Sequence, residues 1–150
     1  MNIIVRQTVL SDIEALVPLF DGYRQFYGRE SNLDGAREFL LARFNHGEST
    51  LFIAQEAGTG IGIGFAQLYP SFSSASLART FILNDLFVRE SNRGKGVGKL
   101  LIAAAADFAK SLGAARVTLS TGVNNAPAKA LYDSCGWKRD EQFIVYHYAI

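Results

Sequence analysis

Apolar residues recur along this chain at helical spacing in some segments and in short β-branched runs in others. The pattern predicts a strand, two helices, a hairpin, a central strand, a helix, a strand, a short helix and a closing strand. The approximate bounds are 2–7, 11–27, 33–44, 51–55 with 61–68, 80–88, 97–112, 116–120, 125–134 and 143–149. This order predicts a mixed α/β sheet in a single domain of residues 1–150.

Three local features refine this picture. Ser11 and Glu14 have the spacing of a capping box, which predicts that the first helix starts near Ser11. Residues 69–78 are rich in serine and are predicted to form a loop. The segment 80–88 is apolar at both odd and even positions apart from a polar pair, so we expect a central strand that is covered on both faces.

Composition excludes several classes of protein. The 150 residues are 49% hydrophobic and 19% charged, which suits one folded domain rather than a disordered chain. A net charge of +1 is too small to drive binding to nucleic acid or to an anionic membrane. Residues 1–75 carry five basic and eight acidic side chains, whereas residues 76–150 carry ten and six, so an anion should prefer the second half.

The chain has one cysteine, Cys135, and two histidines, so it predicts neither an internal disulfide nor a metal site. It has no run of about 18 apolar residues that would cross a membrane. We therefore expect a cytoplasmic protein.

The most informative segment follows the central strand and opens the next helix. It reads Arg93, Gly94, Lys95, Gly96, Val97, Gly98 and Lys99. Glycines let phosphate oxygens approach the backbone, and the free amides of the helix N-terminus attract an anion. The segment lacks the Ser or Thr of a Walker A loop and the third Gly or Ala of a dinucleotide fingerprint. The anion is therefore a phosphate-bearing ligand of another kind.

Two motifs resemble the acetyl-CoA signature of the GNAT N-acetyltransferase superfamily. The first is Arg93-x-x-Gly96-x-Gly98 after a strand that ends in Leu86, Phe87 and Val88, and the second is Asn125-x-x-Ala128-x-x-x-Tyr132. Residues 84–88 and Tyr132 are similar to the diamine and polyamine acetyltransferase branch. The resemblance implies a mostly antiparallel, mixed sheet of about seven strands with helices on both faces and a splayed central strand pair.

The resemblance also implies roles for individual residues. Gly94 to Lys99 would hold the diphosphate of acetyl-CoA, and the backbone of Leu86, Phe87 and Val88 would pair with the pantetheine arm. Asn125 to Ala128 would contact that arm, and Tyr132 would lie beside the sulfur. A strand amide near Phe87 or Val88 would stabilise the oxyanion, and the Tyr132 hydroxyl would protonate the departing thiolate.

The acceptor amine must lose a proton, which costs about 4.6 kcal/mol at pH 7 for a lysine-like ammonium. Many relatives place Glu where this chain has Asn84, and an amide is not a base. Asp85 could serve only if a β-bulge turned it to the same side as Asn84. A water chain ordered by Asn84 is the alternative, and Asp85 could instead be a satisfied structural residue.

The sequence thus predicts transfer of acetyl from acetyl-CoA to a primary amine of a small molecule, by direct attack and without a metal. Tyr23, Phe26 and Tyr27 are candidates for the acceptor pocket. The alternatives are a protein or peptide N-acetyltransferase, an acetyltransferase of aminoglycosides or aminophosphonates, and a CoA-binding sensor without activity. A homodimer is expected by analogy with the family.

Overall fold

The computed structural model describes residues 2–150, which divide into a compact unit ending at Ser120 and a second unit, Thr121–Ile150. The single-domain arrangement stays a prediction. The strands are β1 (Ile3–Gln7), β2 (Thr50–Glu56), β3 (Gly62–Ser73), β4 (Ala78–Val88) and β5 (Val117–Thr118). The helices are α1 (Ile13–Phe26), α2 (Leu33–Asn45), α3 (Val97–Ser111) and α4 (Ala126–Ser134).

The strands form one sheet in chain order, from β1 to β5. The first four are antiparallel neighbours, and β5 runs parallel to β4 after the α3 crossover. The parallel pair matches Phe81 with Val117 and Ile82 with Thr118, so β4 extends well past the end of β5. The mixed, mostly antiparallel sheet is confirmed, and the splayed central pair stays a prediction.

Helices cover both faces of this sheet, as predicted. Ile53 pairs with Phe65, and both are fully buried in the core formed with α1 and α2. Their neighbour Phe52 points to the opposite face, where its ring lies 5.8 Å from that of Phe108 on α3. Phe81 of β4 meets the same Phe108 ring at 5.6 Å. Apolar residues at both odd and even positions of a strand therefore reflect burial on both faces of the sheet.

The start of α1 differs from the prediction. A short 3₁₀ turn, Leu10–Asp12, precedes the helix, and the carboxylate of Asp12 accepts a hydrogen bond from Val9 N at 2.7 Å. Arg6 also donates two hydrogen bonds to this carboxylate, at 2.7 and 2.8 Å. The proposed capping box at Ser11 is wrong, because the charged Asp12 is the group that caps the turn.

The predicted loop over residues 69–78 is also wrong, because β3 and β4 continue as a long hairpin to the pair Ser73 and Ala78. Phe72 pairs with Arg79, whose guanidinium lies 5.5 Å from the Phe72 ring centre. Cross-strand contacts of this kind stabilise a ladder that serine-rich composition does not reveal.

The closing strand predicted over residues 143–149 is wrong, since the structure of residues 2–150 gives this segment no strand. Phe143 N instead donates to Asp140 Oδ1 at 3.3 Å. β-branched and aromatic residues favour a strand only where a neighbouring strand pairs with them. The sheet within the described residues consequently has five strands rather than about seven.

Candidate active site

A β-bulge lies at the polar pair of β4. Gln67 of β3 pairs with Asp85, and the next residue, Leu68, pairs with Leu83, which leaves Asn84 as the extra residue. The bulge brings the Asn84 and Asp85 side chains together, and Asn84 Nδ2 donates to Asp85 Oδ1 at 2.7 Å. This is the β-bulge that the sequence requires for Asp85 and Asn84 to share one side of the strand.

Asp85 is a buried carboxylic acid, with 2% of its surface exposed. Gln67 Nε2 donates to Asp85 Oδ2 at 2.5 Å, so both carboxyl oxygens have a partner. Burial raises the pKa of Asp85, although the hydrogen bonds from Asn84, Gln67 and Tyr23 act in the opposite direction. The group is poised to take up a proton more readily than an exposed carboxylate.

Two tyrosines surround this carboxyl group. The Tyr23 hydroxyl of α1 donates to the backbone oxygen of Asn84 at 3.1 Å. Burial raises the pKa of both Tyr23 and Tyr69, and the negative charge of Asp85 raises them further. Both phenols therefore stay protonated near neutral pH, and the Tyr23 hydroxyl serves as a donor.

The orientation of the Asn84 amide follows from its partner. An ionised carboxylate only accepts hydrogen bonds, so the Asn84 NH2 group must face Asp85. The carbonyl oxygen Oδ1 then points away from Asp85, and Asn84 is exposed. The site thus presents a neutral acceptor at its surface with an acid behind it.

The three aromatic residues predicted for the acceptor pocket lie together at the end of α1. The Tyr23 and Tyr27 rings are 5.0 Å apart, and Phe26 meets Tyr27 edge-on at 5.3 Å. Tyr23 also packs on Phe65 of the core at 6.0 Å, whereas Phe26 and Tyr27 are exposed. Of the three, Tyr23 reaches the polar pair of β4 and the other two continue from it to the surface.

The glycine-rich segment forms a turn that opens α3. Gly94 and Gly96 adopt φ values of 75° and 81°, which residues with a Cβ rarely tolerate, and Gly96 is the N-cap. Leu100 N donates to Gly96 O at 3.2 Å as the first helical bond, so the amides of residues 97–99 are the N-terminal ones of the helix. Val97 is buried and anchors the turn.

The charges around this turn suit a diphosphate. Lys95 and Lys99 are exposed, and the first turn of α3 contains no acidic residue. Lys95 Nζ donates to Ser91 O at 3.2 Å. Arg93 Nε donates to Val88 O at 2.9 Å, so the Nη edge of its guanidinium is the part left for a phosphate oxygen. The exposed amides and cations fit the phosphate-bearing ligand that the sequence predicts.

The end of β4 presents backbone groups past the end of β5. Arg89 N donates to Ile63 O of β3 at 2.8 Å. Because backbone groups alternate between the two edges of a strand, those of Val88 and Leu86 face the opposite edge, beyond β5. The alternation favours Val88 over Phe87 as the amide that could face a ligand there.

A cleft of about 620 Å³ opens between α1 and the end of β4. Its lining residues are Pro18, Leu19, Gly22, Phe87, Arg89, Glu90 and Ser91. A Cβ at Gly22 would come within 3.0 Å of the Phe87 ring, so glycine is what allows α1 to lie this close to β4. The cleft lies beside the turn that opens α3.

The second unit carries the second motif. Asn125 caps α4, and its Oδ1 accepts from Ala128 N at 3.2 Å. Tyr132 lies on α4, half-buried, with its ring 6.0 Å from that of Trp137. The capping role of Asn125 follows directly from the order Asn, Ala, Pro.

Sequence reasoning missed Gln67 and Tyr69. Gln67 is fully buried, and its Oε1 has no hydrogen-bond partner among the residues that the structure describes. A lone polar residue inside the apolar run 61–68 was the available signal. No such signal existed for Tyr69, because this residue falls in the segment predicted to be a loop.

The sequence profile of the acetyltransferase (GNAT) family matches residues 16–137. The chain belongs to this family. The acetyltransferase is 47% identical over 142 residues to YhfO, an uncharacterized N-acetyltransferase of Bacillus subtilis, covering 95% of this chain and 94% of the relative. A solved structure of a probable acetyltransferase superposes with a TM-score of 0.93 at 39% identity, covering 100% of this chain and 98% of the other.

A more distant relative has a named substrate. The L-ornithine N5-acetyltransferase of Arabidopsis thaliana is 33% identical over 85 residues, which are 57% of this acetyltransferase and 37% of the plant protein. Within residues 2–150, no three His, Cys, Asp or Glu side chains are grouped so that they could hold a metal ion. None of the described helices is long and apolar enough to cross a membrane.

Proposed function

We propose that this acetyltransferase moves acetyl from acetyl-CoA to a primary amine of a small molecule, by direct attack in a ternary complex. The observation that carries the proposal is the bulge of β4, where exposed Asn84 is held by buried Asp85. An acceptor oxygen beside a carboxylate that readily takes up a proton suits an ammonium group that must give one up.

Acetyl-CoA would bind through the turn of residues 94–99, with Lys95, Lys99 and the Nη edge of Arg93 near its phosphates. The pantetheine arm would lie along the free edge at Leu86, Phe87 and Val88, in the manner of an added strand. Asn125 and Ala128, which belong to the second family motif, would also contact the arm. These assignments follow the family motifs residue by residue.

Proton removal would begin at Asn84. Its Oδ1 would accept a hydrogen bond from the amine or from a water molecule next to it. Asp85 is too buried to touch the substrate, so it acts as a positioning residue that orients the Asn84 amide. The raised pKa of Asp85 also makes it a suitable end point for a proton relayed through water.

Attack on the thioester would place negative charge on the carbonyl oxygen, and the Val88 amide would stabilise it. The Tyr132 hydroxyl would donate a proton to the sulfur of the departing coenzyme A. As the C–S bond breaks, the attacking nitrogen would lose its second proton, which water would return to the Tyr132 phenolate. The products are then the new amide, the free thiol and the one proton taken up from the ammonium. No metal takes part in these steps.

A small cationic acceptor is supported by chemistry and by one relative. The exposed Asn84 carbonyl can accept from an ammonium, and the Asp85 carboxylate behind it favours a cation over an anion. The plant relative is named for acetylation of L-ornithine, an amino acid with a side-chain amine. We further propose a cytoplasmic homodimer, in line with the family.

The test is a panel of amines assayed by release of free coenzyme A thiol. The panel contains linear diamines, L-ornithine, an aminoglycoside, an aminophosphonate and a peptide with a free N-terminus. We expect the diamines or ornithine to give the largest kcat/KM. A peptide that outperforms every diamine would replace this proposal with peptide N-acetylation.

A thermal-shift titration tests the donor separately. Acetyl-CoA should raise the melting temperature, and ATP at the same concentration should have a smaller effect. Acetyl-CoA binding without turnover on any amine would favour the CoA-binding sensor. That alternative is motivated by Asn84, which stands where many relatives have Glu. Stabilisation by ATP alone would contradict the donor assignment.

A further inference from the structure

The Arg93 guanidinium lies over two aromatic rings from different elements. Its guanidinium carbon is 5.5 Å from the centre of the Phe26 ring on α1 and 5.5 Å from that of Phe87 on β4. Its Nε also donates to Val88 O at 2.9 Å. One side chain thus joins the turn before α3, the end of β4 and the end of α1.

The chemistry of arginine suits this arrangement. A planar guanidinium can stack on rings with its faces while its edge donates hydrogen bonds, and a lysine ammonium cannot do both. The guanidinium of Arg93 lies over both rings, and Val88 O occupies part of its edge. The remaining Nη edge stays available to a phosphate of coenzyme A.

Contacts continue from Phe26 to the bulge of β4. Phe26 meets Tyr27 at 5.3 Å, Tyr27 meets Tyr23 at 5.0 Å, and the Tyr23 hydroxyl donates to Asn84 O at 3.1 Å. The first two members, Phe26 and Tyr27, are 57% and 55% exposed. An exposed helix end with few buried contacts opens easily, so an additional restraint there changes its stability.

We propose that Arg93 is a positioning residue that couples the two substrate sites. Coenzyme A phosphate at residues 94–99 restrains Arg93, and Arg93 restrains the last turn of α1 through Phe26. The aromatic residues proposed to bind the acceptor are then ordered before the acceptor arrives. The inference rests on the proposed function, because it takes the coenzyme A site and the acceptor site from it.

The coupling has a direct thermodynamic consequence. A ligand that has already ordered the end of α1 lowers the entropy cost for a second ligand that needs the same order. Coenzyme A and the acceptor should therefore strengthen each other's binding by the same factor. This ordering can be measured with coenzyme A alone, without knowing the acceptor.

The experiment is amide hydrogen exchange of the full chain with and without coenzyme A, followed in peptides that cover residues 23–29. In the native protein, coenzyme A should slow exchange there by about fivefold or more, the lower end of typical coupling between sites. Phe26→Leu and Arg93→Lys should abolish this slowing. Phe26→Tyr keeps a ring and should retain it.

Phe72→Leu is the matched control. Phe72 on β3 carries a similar stack, with the Arg79 guanidinium 5.5 Å from its ring centre, and it is 70% exposed. This variant should retain the slowing at residues 23–29. Loss of the slowing in Phe72→Leu as well would show a general effect of ring removal and would overturn the inference.

Two further outcomes separate this inference from the proposed function. If coenzyme A binds Phe26→Leu and Arg93→Lys and still slows exchange at residues 23–29, Arg93 is only a phosphate ligand and the coupling is refuted. If coenzyme A does not bind the native protein at all, the donor assignment fails and the inference fails with it. Isothermal titration of coenzyme A into each variant distinguishes the two results.

Discussion

Asn84 Nδ2 donates a hydrogen bond to Oδ1 of Asp85, the next residue in the chain, at 2.7 Å. Neighbours in a regular strand point to opposite faces, so this contact exists only because Asn84 is the extra residue of a bulge. The bulge lets a buried acid hold an exposed amide in one orientation. The bulge here supplies a contact that the two residues could not make in a regular strand.

The buried acid should weaken the folded state at neutral pH. A carboxyl group whose pKa is raised on folding stabilises the protein below its unfolded pKa, and this contribution is lost as the pH rises through the folded pKa. Each unit of difference between the folded and the unfolded pKa changes the free energy of unfolding by about 1.4 kcal/mol. The stability of Asp85→Asn relative to the native protein should therefore rise as the pH rises above the ordinary carboxyl pKa of about 4, measured by urea unfolding.

The loss of hydrogen bonds in Asp85→Asn adds an offset that does not vary with pH, so the slope of the difference carries the prediction. The same substitution should lower kcat on the best amine, because the new amide no longer fixes the orientation of Asn84. A difference in unfolding free energy that stays flat, or that falls with rising pH, would contradict the assigned burial cost.

Asp21 is a second buried carboxylate, and its pKa is shifted in the opposite direction from that of Asp85. Burial acts to raise its pKa, but hydrogen bonds from Asn32, Ser31 and Gln25 and the charge of Arg24 outweigh it, and the pKa is lowered. Its contribution is present above the unfolded pKa and is lost as the pH falls. Asp21→Asn should cost about 1.5–3 kcal/mol at neutral pH and less in acid, in the same urea titration.

The glycines at the two ends of α3 allow a matched test of the phosphate turn. Gly96 and Gly113 have φ values of 81° and 72°, and a Cβ at either position would meet no atom within 4 Å. Alanine should therefore cost about 1–2 kcal/mol of backbone strain at both sites. Only Gly96→Ala should also weaken acetyl-CoA binding, measured by calorimetry, because it alters the amides that open α3.

Equal loss of acetyl-CoA affinity in Gly96→Ala and Gly113→Ala would contradict the placement of the phosphate site, since Gly113 lies at the other end of the helix. Full acetyl-CoA affinity in both variants would also contradict the placement of the phosphate site. Melting temperatures of the two variants show whether the strain is matched.

The sequence predicted the elements that are decided locally. Residues 97–111 have the apolar stripe of a helix, and the glycines at each end mark its limits, so α3 was found almost residue by residue. The N-caps of α2 and α4 are asparagines whose side chains accept from Gly35 N and Ala128 N. Capping depends on residues three apart in the chain, and such short-range rules can be read from sequence.

Features decided by pairing between distant segments were harder to predict. The bulge at Asn84 depends on the register against Gln67 and Leu68, which no local pattern specifies. The extension of β3 to Ser73 and the irregular segment 143–149 were missed for the same reason. Gln67 entered the site only through this register, as the cross-strand partner of Asp85.

The proposed role of Tyr132 as general acid can be tested by substitution. Tyr132→Phe removes one hydroxyl from a half-buried ring that packs near Trp137, so the fold should persist. If Tyr132 protonates the departing sulfur, kcat on the best amine should fall by about 10²–10⁴-fold, while acetyl-CoA affinity stays nearly unchanged. Tyr148→Phe, at an exposed tyrosine of the same unit, is the matched control and should keep full turnover. Equal turnover in both variants would remove Tyr132 from the mechanism, because a lost general acid must slow the step in which the thiolate leaves.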